Sequence, residues 1–142
     1  MKFTIENQYL NGAVTLMQRI PLTGYQSMAR TRFIRVLNEP VQAMVDAQKD
    51  LLEQYAVKGD DGEPISDNGN YTLQKDTVQE YKDAYDKLIH QSAEIDKGTY
   101  TDHKRDIQEV LKNCKLELSG DDASVYAALC DALEVSFEKE GK

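Results

Sequence analysis

The chain lacks most of the features that would announce an activity. It contains no G-x-S-x-G, no P-loop and no G-x-G-x-x-G, so the common nucleophile-elbow and phosphate-cradling chemistries have no foothold. No apolar stretch is long enough to cross a bilayer, which takes about 20 consecutive apolar residues, so no membrane partner is expected. Only two cysteines, Cys114 and Cys130, are present. They exclude a disulfide-dense scaffold, and although one bridge between them is conceivable, two reduced thiols are expected. The start, Met1-Lys2-Phe3-Thr4-Ile5-Glu6, has no apolar core region and no cleavage site, so no secretory signal is expected. Together these features favour a cytoplasmic protein. Basic charge is scarce as well: 17 Lys and Arg face 25 Asp and Glu, for a net charge of −8. A field of that sign repels phosphate, so any nucleic-acid contact has to be local.

The basic charge that does exist is concentrated. Residues 1–35 hold five basic residues against one acid, a balance of +4, which leaves −12 for residues 36–142. The core of the basic region is Arg30-Thr31-Arg32-Phe33-Ile34-Arg35. On a helix, Arg32 and Arg35 stand three apart and share a face, with Arg30 off to one side. Arginine presents a rigid fork suited to carboxylate or phosphate. Two readings follow. Arg19, Arg30, Arg32 and Arg35 dock an acidic partner or nucleic acid, or they pair internally with Asp46, Asp50 or the last helix. Phe33 and Ile34 read as core rather than as a base-stacking platform. The acidic remainder reads as a solubilising surface, with imitation of the phosphate line of DNA as a weaker alternative.

At 142 residues, 40% of them apolar and 30% charged, the chain is long enough to bury a core without staples. Apolar residues recur at helical spacing along most of it. Lys2-Phe3-Thr4-Ile5 alternates and reads as a short strand. Asn7 suits an N-cap, and the spacing predicts a helix over about 8–19 that Pro21 and Gly24 break. Two helical segments in series, about 25–38 and 40–57, are expected around Pro40, which should end or kink the first. Residues 58–75 read as an exposed turn-rich loop or hairpin centred on Asn68-Gly69. Asp76 and Gln79 have capping-box spacing before a helix that ends near His90. Ser92 to Asp96 reads as a strand ended by Lys97-Gly98, followed by a helix over about 101–113. Lys115-Leu116-Glu117-Leu118 alternates like another strand. Ser119 and Asp122 have capping-box spacing ahead of the last helix. No internal repeat is evident. The expected fold is α+β: one compact domain over 1–142, predominantly helical, with a few short strands packed against five or six helices.

Catalytic and metal-binding readings are weak. His90, His103, Cys114 and Cys130 would make a zinc set by type, but no two are closer than eleven residues apart, whereas structural sites bring ligands in close pairs. Asp60, Asp61, Glu63 and Asp67 are crowded but lack the spacing of a calcium loop. Neither cysteine and neither histidine lies in a recognisable nucleophile–base motif. The expectation is no enzyme activity, no metal and no cofactor.

Several segments together resemble a family of small uncharacterised proteins encoded by phages and prophages of Gram-positive bacteria. They are Lys2-Phe3, Leu22-Thr23-Gly24, Ser27-Met28-Ala29-Arg30-Thr31-Arg32, Glu53-Gln54-Tyr55-Ala56, Asp60 to Pro64, Leu118-Ser119-Gly120-Asp121-Asp122-Ala123, Tyr126 and Ala132-Leu133-Glu134. The resemblance runs nearly end to end and implies a phage accessory protein located in the host cell cytoplasm or in the virion. It carries no catalytic residues. The expected function is non-enzymatic binding of a host or phage protein, with inhibition of a host defence system, in the manner of anti-CRISPR proteins, as the leading form. The alternative is a virion or tail/baseplate morphogenesis component. A nucleic-acid binder using the arginine cluster ranks third. No feature of the sequence sets an oligomeric state.

Overall fold

A computed structural model of the chain describes residues 2–96 and 103–137. Among them the element order is β1 (Lys2–Glu6), α1 (Leu10–Arg19), α2 (Gly24–Tyr55), β2 (Ser66–Asp67), β3 (Asn70–Tyr71), α3 (Val78–His90), β4 (Ser92–Asp96), α4 (His103–Lys112) and α5 (Asp121–Ala132). This is an α+β fold dominated by helices. The chain divides into two compact units, Met1–Val41 with Ser92–Lys142, and Gln42–Gln91.

The first unit holds nearly all of the core. β1 and β4 pair antiparallel, with Phe3 opposite Ile95 and Ile5 opposite Ala93. Their period-2 alternation sends Phe3, Ile5 and Ile95 inward and leaves Thr4 and Glu94 outside. Helical spacing does the same for α1, which buries Leu10, Ala13, Leu16 and Met17. The start of α2 adds Ala29, Phe33 and Leu37, and Phe33 packs against Phe3 with ring centroids 5.8 Å apart. Ile107, Val110 and Leu111 enter from α4, and Val125, Leu129 and Leu133 from α5 and its end. Each fully buried side chain of this size contributes about 1.5–3 kcal/mol before entropy is subtracted. At Gly12, α1 and α5 approach so closely that a Cβ would lie 2.7 Å from a methyl of Val125.

The second unit is built differently. Among its residues Ala56 is the one fully buried apolar side chain. Its organisation is carried by polar and aromatic contacts. The Tyr71 hydroxyl donates to Glu53 at 3.0 Å, and the Gln74 amide donates to the carbonyl of Ala56 at 2.9 Å. The carboxylate beside Tyr71 raises its phenol above the usual range. Tyr55 meets Tyr81 edge-on and Tyr81 stacks on Tyr85, at 6.2 and 6.0 Å. In the turn region β2 and β3 pair with Ser66 opposite Tyr71 and Asp67 opposite Asn70. Asn68 and Gly69 between them have φ of 53° and 82°. Two left-handed residues in a two-residue loop make the turn that Asn-Gly favours.

Several sequence expectations are corrected. Helix α2 does not end at Pro40 but continues to Tyr55. The proline removes one amide from the ladder and takes the helical partner from the carbonyl of Val36, four residues back, yet the helix runs on through it. Asn7 does not cap α1; it opens a short 3-10 turn over Asn7–Tyr9, and α1 begins at Leu10. Neither predicted capping box forms. α3 starts after Thr77 and α5 after Gly120, each without a side-chain cap; Gln79 bonds Asp83 and Asp122 bonds Arg19 instead. Residues 115–118 form no strand. Leu116 and Leu118 are half-buried against the core, which explains their alternation without a ladder. The strand end at Lys97-Gly98 and the start of the 101–113 helix lie outside the described residues.

Candidate functional site

The four arginines singled out in the sequence do not act as one cluster. Arg19, at the end of α1, pairs with Asp122 in the first turn of α5 at 3.0 Å. The last helix was one of the internal partners anticipated for this set. Asp122 sits at the positive end of α5, so the pair also suits the helix dipole. Arg30 turns inward: one guanidinium nitrogen donates to the carbonyl of Ile20, and the other lies 3.4 Å from the Ser27 hydroxyl. It therefore ties the start of α2 to the segment that follows α1, and satisfies a carbonyl left over by the helix break.

Arg32 and Arg35 remain on the outer side of α2, Arg32 half-buried and Arg35 exposed. Their face is not purely basic. Tyr25, Met28, Arg32 and Arg35 fall at i, i+3, i+7 and i+10, so they form one stripe along the helix. Tyr25 is 54% exposed and Met28 43% exposed. Phe33 and Ile34 lie on the inner side, buried and half-buried against the core. An exposed aromatic, a methionine and two arginines in line match the residue types enriched at the centres of protein–protein interfaces. Sequence reading found the arginines and passed over Tyr25 and Met28. The same three- and four-residue spacing carried the signal, but a stripe of that kind reads equally as core until its exposure is known.

Other chemistry is thin. Among the described residues no group of three or more His, Cys, Asp or Glu side chains converges. Cys114 is half-buried and Cys130 buried, both as free thiols. Burial raises the Cys130 thiol above its usual range, the reverse of what an activated nucleophile needs. Burial likewise pushes up the phenol of Tyr126, whose hydroxyl donates to the carbonyl of Leu111. A cleft of about 330 Å³ opens beside Ile20, Leu22, Gln26, Val110, Cys114 and Leu116. Its walls are mixed, with Glu109, Asn113 and Lys115 also lining it.

The sequence matches the family described as "Protein of unknown function (DUF1617)" over residues 1–142. The chain belongs to that family. No curated protein and no solved structure matches it. Membership in the DUF1617 family establishes kinship along the whole chain. Among the described residues no helix is long and apolar enough to cross a membrane.

Proposed function

We propose that the chain is a non-enzymatic binding protein that engages an acidic surface of another protein through the outer stripe of α2. The observation that carries this reading is the exposure of Tyr25 and Met28 in line with Arg32 and Arg35. Isolated exposed apolar residues need no explanation, but an aromatic and a methionine aligned with two arginines favour a desolvated contact rimmed by charge pairs. The engagement of Arg19 with Asp122 and of Arg30 with Ile20 leaves little of the basic cluster for a phosphate backbone, so a protein partner is preferred over nucleic acid. The resemblance to phage and prophage proteins supports a partner inside an infected Gram-positive cell, with a component of a host defence system as the leading candidate.

The test compares the tagged wild type with a Tyr25→Ser, Met28→Ser, Arg35→Glu variant in capture from nuclease-treated lysate of the infected host. Circular dichroism checks that the variant is folded. A partner recovered by the wild type and lost by the variant supports the α2 stripe. A partner retained in full by the variant refutes it. If the variant-sensitive partners are phage structural proteins, the role moves to virion or tail morphogenesis.

A further inference from the structure

The Gln42–Gln91 unit leaves a question that the α2 stripe does not answer. α3 is 13 residues long and amphipathic, with Val78, Tyr81, Tyr85, Leu88 and Ile89 on one side, yet none of its residues is fully buried. A helix of this pattern normally buries its apolar side against a neighbour. Tyr81 of that side meets Tyr55 of α2, and Leu88, at its edge, lines an open groove of about 320 Å³ shared with the last turns of α2.

The two walls of the groove match residue for residue. Ala47, Leu51 and Gln54 line it from α2, and Ala84, Leu88 and Gln91 from α3 and the residue after it. Extended one turn back, the stripes read Met44-Ala47-Leu51-Gln54 and Tyr81-Ala84-Leu88-Gln91, both with the 3-4-3 spacing of a coiled-coil seam. The equivalent charged position carries opposite signs on the two walls, Asp50 on α2 and Lys87 on α3. Both are exposed, and among the described residues no ion pair holds either.

We infer that this groove seats the same groove of a second copy of the chain, in a two-fold dimer that completes a four-helix seam. Self-association is the occupant these features select. A two-fold interface must complement itself: where residue i of one copy meets residue j of the other, residue j of the first meets residue i of the second. Two matched stripes, each with a small residue beside its leucine, admit each other's leucines as knobs. The opposite signs at 50 and 87 give two equivalent ion pairs, Asp50 of each copy facing Lys87 of the other. An unrelated partner would have no reason to require either match. The groove runs for about two turns, roughly 10 Å, well short of an interface of about 800 Å² per partner, so the dimer is expected to be weak, with a Kd of about 10–100 µM.

Sedimentation velocity of the full chain from about 5 to 500 µM at low salt tests this directly. The wild type should show a reversible monomer–dimer equilibrium. Asp50→Lys and Lys87→Asp should each weaken it about tenfold or more, because each turns two exposed attractions into repulsions. An equimolar mixture of these two variants should recover dimer, since every 50–87 contact in the mixed pair is again opposite in sign. Ala47→Gln with Ala84→Gln fills the groove with helix-forming residues and should abolish the dimer while leaving circular dichroism unchanged. A wild type that stays monomeric throughout overturns the proposal. So does a dimer indifferent to the charge changes, or single-variant monomers that gain nothing on mixing.

Discussion

Gly12→Ala is the substitution whose sign the tertiary structure reverses. Gly12 is the third residue of α1, and alanine in a helix is normally worth about 0.5–1 kcal/mol over glycine. In this fold the added methyl would sit 2.7 Å from Cγ2 of Val125, 3.5 Å from its Cγ1 and 3.6 Å from its Cβ. Val125 is only 8% exposed and lies on α5. A valine in a helix has one strongly preferred rotamer, so it does not swing aside cheaply. Forcing an extra methyl into such a contact costs about 1–3 kcal/mol. The net expectation is a destabilisation of about 0–2.5 kcal/mol, read as a lower urea midpoint with an unchanged slope. The control is the same change in a Val125→Ala background. With the two γ methyls gone the clash disappears, and alanine at position 12 should stabilise by its ordinary helical increment. The coupling between the two sites should therefore be about 1–3 kcal/mol. If Gly12→Ala stabilises by the same amount in both backgrounds, α1 and α5 do not make this close approach and the packing argument fails.

Two further measurements address the end of α5 and its titrating side chains. Glu134 holds φ of 58° just after α5, a conformation that costs a side-chain-bearing residue about 1–2 kcal/mol. Its ion pair with Lys104 at 3.3 Å is 78% exposed on the Glu134 side and is worth at most about 1 kcal/mol. Glu134→Gly is thus expected to raise stability by about 0.5–1 kcal/mol in urea unfolding, and a loss would show that the ion pair outweighs the backbone strain. Burial raises both Cys130 and Tyr126 above their usual ranges. In the unfolded chain the thiol ionises near pH 8.5 and the phenol near pH 10, so above those values the unfolded state holds fewer protons than the native state. Stability should be level from about pH 6 to 8 and fall as the pH rises further, first through Cys130 and then through Tyr126. Cys130→Ala should remove the earlier part of that decline, and a decline identical to wild type would assign it to other groups.

Much of the architecture was legible from local patterns. Alternation in Phe3 and Ile5 announced β1, the spacing of Leu10, Ala13 and Met17 announced α1, and Asn68-Gly69 announced the turn between β2 and β3. These readings held because the pattern and the packing agree. Pro40 was expected to end or kink a helix because proline removes an amide and crowds the preceding turn, whereas the one missing hydrogen bond leaves the rest of α2 running to Tyr55. Leu116 and Leu118 were misread because alternation reports which side chains point inward, not whether a partner strand exists. At the candidate site, the sequence identified Arg19, Arg30, Arg32 and Arg35 but could not divide them. Arg19 meets Asp122 across 103 positions of sequence, and no local rule reports that.

Composition and periodicity were enough to set the fold class, the acidic surface and the lack of recognisable catalytic motifs, because each depends on residue type and near-neighbour spacing. Exposure and long-range pairing were not. The same three- and four-residue spacing places Phe33 and Leu37 in the core, Tyr25 and Met28 outside it, and Leu51 and Leu88 on the walls of an open groove. Which of these fates a stripe meets depends on whether another element covers it, and that is settled only when distant parts of the chain pack together.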